Sequence, residues 1–133
     1  MKYVKQPEGS NLCGQSCVAM IADITIEESI AVFGKRGRTT AKDVIKALSK
    51  LGIACGNSLI RIKEKKKPSL CMVVLHFEGE KDTHWTVYYR GLYYDPAAGI
   101  GDTYHAGIRE TSYLWINTPI RESRGEAEPS GTC

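Results

Sequence analysis

The chain has 133 residues, room for one domain. Apolar residues make up 42% of it and charged residues 25%, which excludes disordered, collagenous and coiled-coil readings of the whole. A net charge of +3 is too mild to argue for nucleic acid as a partner.

The longest apolar run, residues 70–75, has strand length and falls far short of the roughly 18 residues a membrane span needs. Residues 1–11 have neither an apolar core nor a small-residue cleavage site, so no signal peptide is read there and the expected location is the cytoplasm. Five cysteines, an odd number, fit free thiols better than a disulfide framework. Each is then a small buried hydrophobe or a reactive group.

Residues 1–12 read as a polar entry rich in turn formers: Pro7, Gly9, Ser10 and Asn11. Cys17, Val18, Met20, Ile21 and Ile24 recur at helical intervals, which predicts a helix over residues 13–22 with Asn11 as its N-cap and Cys13 in its first turn. Thr25 and Glu28 have the spacing of a capping box, and the short helix they open ends at Gly34. After a basic loop at 35–38, Thr40 to Asp43 opens a third helix that Gly52 stops.

The second half changes character. Residues 53–63 predict one or two short strands broken at Gly56-Asn57, and a charge run over 61–67 is closed by Pro68. Residues 70–77 form a buried-type strand. Residues 84–89 alternate and pair as a hairpin with 92–94 across Arg90-Gly91. A loop with Gly99, Gly101 and Gly107 leads to a last strand over 110–117. Residues 1–120 read as one domain and 121–133 as a polar, frayed tail. Helices followed by an antiparallel meander make an α+β domain, with N-terminal helices packed on an antiparallel sheet.

Three residues carry chemistry in this layout. A thiol at Cys13 in the first turn of a helix faces free N–H groups and the positive end of the dipole, both of which favour thiolate. His84 begins a strand, where it can face a cleft and act as base and then acid. Tracing the hairpin about Arg90-Gly91 sets His84 opposite position 97. Asp95 then falls within a residue or two of it, close enough to orient an imidazole. Each has a plainer reading: a core cysteine, a turn histidine, an Asp-Pro turn. His76 and His105 are the rival histidines. Cys17 is the rival nucleophile, but it lies one turn deeper on the apolar face and reads as core. Cys55 and Cys71 read as structural, and Cys133 as an inert thiol in the tail.

Gln6, then Cys13-Gly14-Gln15-Ser16-Cys17, His84-Trp85-Thr86-Val87 and Asp95-Pro96-Ala97-Ala98-Gly99 resemble the papain-like cysteine peptidases. The nearest likeness is to the domains that remove double-glycine leaders in bacteriocin exporters. The resemblance covers residues 3–117 and implies a papain-like fold and a thiol protease without cofactor. It implies that Cys13 is the nucleophile, His84 the base, Asp95 its orienting partner and Gln6 an oxyanion donor. Leu12 stands where that family often has an acidic residue, and the gap between Gln6 and Cys13 is one residue longer.

A peptide or protein substrate is the implied partner. The same three groups would equally serve a deamidase or an acyl transferase acting on a protein side chain, and a non-catalytic peptide-binding module is the alternative of another class. Metal ligation would need closer ligand pairs than Cys13, Cys17 and three scattered histidines offer. The two basic stretches read as solvated loops rather than a nucleic-acid surface.

Overall fold

The structure is a computed structural model and describes residues 1–121. The tail beyond it, with Cys133, lies outside the described residues, as does almost all of the segment read as frayed. The architecture is α+β: three helices pack on an antiparallel sheet. Helix α1 spans Cys13–Ala22, α2 Ile26–Phe33 and α3 Ala41–Lys50. Strands follow as β1 (Ala54–Cys55), β2 (Ile60–Arg61), β3 (Leu70–Phe77), β4 (Thr83–Tyr89), β5 (Leu92–Asp95), β6 (Gly99–Gly101) and β7 (Ile108–Asn117). Among the described residues no helix is long and apolar enough to cross a membrane.

Local chemistry explains two of the helix starts. Thr25 accepts a hydrogen bond from the Glu28 amide at 3.0 Å while Glu28 accepts one from the Thr25 amide at 2.8 Å. Thr40 and Asp43 repeat the arrangement at 3.1 and 2.9 Å. Each box satisfies two donors that a helix N-terminus leaves open. Helix α1 is different. Its N-cap is Leu12, which offers no side-chain acceptor, and the expected cap Asn11 stands one residue outside.

The strand order is β1-β7-β3-β4-β5-β6, with β2 also on β7. This corrects the simple meander. Residues 70–101 do run as successive antiparallel neighbours, but β7 returns to the opposite edge of β3 and pairs with it from Cys71↔Trp115 to Phe77↔Ile108. The glycine-rich loop is corrected too, because its first part forms β6, where Asp95↔Gly99 and Tyr93↔Gly101 are partners. Strand β7 begins two residues earlier than the pattern of apolar residues suggests.

Alternation along β3 gives the sheet two buried faces. Leu70 and Met72 join Trp85, Val87, Leu114 and Ile116 in a core shared with α1 and α3. Cys71, Val73 and Leu75 point the other way into a smaller core with Phe77, Tyr88, Tyr104 and Ile108 around it. Residues 1–12 are less polar in effect than in composition: Met1 and Leu12 are both buried, and Met1 packs in the larger core.

Lys67 is drawn out of its basic run into the smaller core. Its Nζ lies 2.8 Å from Glu110 and 4.4 Å from the centre of the Tyr88 ring, and its side chain is only 5% exposed. Burial disfavours its charge, but hydrogen bonds to Glu110 and Tyr93 more than compensate and hold it protonated. Only part of the 61–67 run is therefore the solvated loop that its composition suggests. Breaking one partner of such a pair strands the other. Lys67→Met should destabilise the fold by about 3–5 kcal/mol. Lys67→Met with Glu110→Leu should recover most of that loss in urea unfolding, and a double variant no better than the single one would contradict the pairing.

Candidate active site

The missing cap on α1 leaves its first N–H groups open, and Cys13 sits among them. The Gly14 amide hydrogen-bonds the Cys13 sulfur. So does the Trp85 amide, at 3.5 Å, from the neighbouring strand β4. A capping side chain would compete for such donors, so the absence of a cap and the position of the thiol belong together. Gly14 also lets the chain close in from the other side. A Cβ there would come within 2.1 Å of the Thr39 hydroxyl and 3.2 Å of the Thr39 Cβ.

Strand β4 brings His84 to this helix end, and the β4–β5 hairpin brings Asp95 to His84. Arg90 and Gly91 both have positive φ, at 50° and 86°, the turn geometry that matches strand twist. Val87↔Tyr94 and Tyr89↔Leu92 fix the register that brings Asp95 to the His84 end of β4, although β5 ends at Asp95 and the chain turns there into β6 before position 97 could pair. His84 Nε2 lies 2.8 Å from Asp95 Oδ1. With Nε2 committed to the carboxylate, Nδ1 is the nitrogen left for the Cys13 thiol, to which His84 is hydrogen-bonded.

Burial works against charge on all three groups, and their mutual contacts overcome it. Cys13 is held below the ordinary thiol value because the His84 hydrogen bond and charge, with the Trp85 and Gly14 amides, outweigh desolvation. His84 is pushed up to about 9: desolvation opposes its charge, while Asp95 and Cys13 favour it. Asp95 stays below the usual carboxylate range despite burial, through His84, Tyr104 and the Ala98 amide. The other described cysteines go the opposite way. Desolvation raises Cys17 well above the ordinary value, Cys55 above it and Cys71 to about 12. Cys17 and Cys71 are fully buried and Cys55 half-buried, in keeping with structural roles.

Gln6 is buried near this group and lines a cavity with His84 and Asp95. The Gln6 backbone amide donates to the Pro96 carbonyl at 2.9 Å, which pins the N-terminal segment to the loop after Asp95. Its side-chain Nε2 donates to the Ser10 carbonyl at 2.6 Å and lies 3.3 Å from the Ser10 hydroxyl. His76 and His105 take no part in the Cys13–His84–Asp95 contacts. His76 pairs with Thr83 and Arg109 in the sheet, and the His105 ring accepts the Gly107 amide at 3.2 Å.

Two residues of this site escape sequence reasoning. The Tyr104 hydroxyl donates to Asp95 Oδ2 at 2.6 Å and lies 3.0 Å from the Thr86 hydroxyl. The Tyr3 hydroxyl donates to the Asp95 carbonyl. Neither lies in a periodic segment that would mark it. Among the described residues no cluster of three or more His, Cys, Asp or Glu side chains could hold a metal ion. No family model matches the chain, and no curated protein matches it either.

Two outcomes follow for this group. Iodoacetamide near pH 6.5 should label Cys13 ahead of Cys17, Cys55 and Cys71, and His84→Ala should slow that labelling about ten-fold or more. Mass spectrometry of the digested protein reads both, and faster labelling of Cys17 would contradict the assignment. Tyr104→Phe should cost about 1–3 kcal/mol at neutral pH, since it removes a hydrogen bond to a charged acceptor. Asp95 has a depressed folded pKa, so the stability it contributes is present above its unfolded value and lost as pH falls through the folded one. The gap between wild type and Tyr104→Phe in urea should accordingly narrow in acid.

Proposed function

We propose that the protein is a thiol-dependent hydrolase of papain-like fold that cleaves a peptide or amide bond through an acyl-enzyme. The observation that carries this reading is the placing of one imidazole between a thiol at an open helix N-terminus and a buried carboxylate, with the thiol shifted down and the imidazole up. A buried structural cysteine has no need of that arrangement, whereas a nucleophile does. The residue pattern around it resembles the double-glycine leader peptidases, which supports a peptide substrate.

In this mechanism Cys13 attacks the scissile carbonyl as thiolate. In this reading the donors to the oxygen that becomes negative are the Cys13 amide and the Gln6 side chain, the roles that the resemblance implies. The weaker Gln6 contact, 3.3 Å to the Ser10 hydroxyl, is the one an oxyanion displaces. His84 gives its proton to the leaving amine as the tetrahedral species collapses to a thioester. It then takes a proton from the water that hydrolyses the thioester. Asp95 holds the ring in one orientation and stabilises its charge throughout.

A tryptic peptide library incubated with the protein and read by mass spectrometry tests the reaction. New peptide termini should form with wild type and not with Cys13→Ala, and His84→Ala should slow their formation about 10²–10⁴-fold. Asp95→Asn should cost less, because the thiolate still holds the imidazolium. Turnover should fall as pH rises past about 9, where His84 loses the proton the leaving group needs. Mass gain on intact peptides with no fragments would favour deamidation, and no change at all would overturn the proposal.

A further inference from the structure

A cavity of about 500 Å³ opens beside His84. His84, Asp95 and Gln6 line it, but Cys13 does not. Its other walls are chiefly apolar, with Phe77, Tyr93, Tyr104, Ile100 and Ile108 among them. The Phe77 ring centre is 5.8 Å from that of the imidazole. Tyr104 has its hydroxyl engaged by Asp95 and Thr86, so what it adds to the cavity is ring surface. A neighbouring cavity of about 480 Å³ beyond Tyr93 and Tyr104 is polar, with Lys65, Asp102, Arg109 and Glu110 in its wall, and does not reach His84.

Gly101 adds a second observation. It also lines the cavity, opposite Tyr93 in the β5–β6 pairing, and directly opposed residues share a face of a sheet. Its φ is not in the left-handed region, unlike that of Gly99 at 97°, so the backbone does not demand glycine. A Cβ at this position would meet no atom within 4 Å. Gly101 ends β6, and a strand glycine that its own backbone does not demand is often a place where another group comes close.

We infer that this cavity receives an apolar side chain from the leaving side of the substrate, the residue just after the cleaved bond. The inference rests on the hydrolase reading above. There, His84 delivers a proton to the departing amine, so the amine sits at the imidazole. The chain attached to it lies beyond the ring, away from the thiol. A cavity that touches His84 but not Cys13 is on that side, and its size and lining suit a branched aliphatic or aromatic side chain.

Capture of the acyl-enzyme by amines reads this side alone. p-Nitrophenyl acetate acylates Cys13 with release of p-nitrophenolate and needs no acyl-side pocket. An amino acid amide then attacks the thioester carbonyl through its amine. The C–S bond breaks, an N-acetyl amide forms, and the amine proton passes through His84. Leucinamide should be captured about ten-fold or more in preference to glycinamide, as burial of an aliphatic side chain implies. Gly101→Leu, which fills the cavity from its wall, should bring that ratio towards one.

Release of p-nitrophenolate with equal capture of leucinamide and glycinamide would overturn the inference and leave the hydrolase reading standing. Preference for argininamide over leucinamide would overturn it as well, in favour of the polar neighbour. A ratio that survives Gly101→Leu would move the subsite elsewhere. No release from Cys13 at all would remove the hydrolase reading and this inference with it.

Discussion

The Asp95 carboxylate accepts four hydrogen bonds in a place almost closed to water. Oδ1 takes the His84 ring and the amides of Ala97 and Ala98, at 2.8, 2.8 and 3.0 Å, and Oδ2 takes the Tyr104 hydroxyl. The four donors come from three different requirements. The two amides turn the chain after β5 so that β6 can form, Tyr104 anchors the loop before β7, and His84 is held at the mouth of the sheet. The Asp95 carbonyl meanwhile accepts from Tyr3, which ties in the N-terminal segment. A buried anion is costly unless its partners are fixed in advance. Here the fold fixes them, and the same partners that make the anion tolerable give the imidazole one orientation.

Charge passes along this chain by mutual dependence. Burial alone would leave a neutral thiol, a neutral imidazole and a protonated acid. Cys17 illustrates that outcome one helical turn away, with the same chemistry, complete burial and a strongly raised thiol. The difference at Cys13 is the set of donors around it: two amides and an imidazole. Helix α1 contributes by what it lacks, since α2 and α3 close their N-termini with capping boxes and α1 does not. A departure from good local helix chemistry thus falls where the proposed nucleophile needs open N–H groups.

The parts of this arrangement legible in the sequence are those set by short-range rules. The two capping boxes are visible as residue spacings. The His84–Asp95 approach follows from a two-residue turn and the period of a strand, so counting is enough. What escaped reading depends on distant chain. Strand β7 crosses to the far edge of β3, a pairing that periodicity does not encode. Strand β6 is Gly-Ile-Gly, with little strand propensity, and forms because Asp95 turns the chain beside β5. Tyr104 and Tyr3 sit in irregular segments where no repeat marks the buried side. Lys67 reads as one more charge in a basic run until Glu110, 43 positions later, is seen at 2.8 Å.

The sequence separations within the site also order its assembly in time. His84 and Asp95 are 11 positions apart and meet when a hairpin closes, whereas the contact between Cys13 and Trp85 spans 72. Loop closure over such a distance is slow relative to hairpin formation. The imidazole and the Trp85 amide therefore reach the thiol only when α1 docks on β4, while the Gly14 amide is its neighbour from the start. A ribosome-bound fragment ending before residue 84, or a chain opened at the α1–β4 contact, leaves Cys13 without the imidazole and the strand amide. The lowered thiol at Cys13 is thus a property of tertiary closure and depends on α1 and β4 staying in contact.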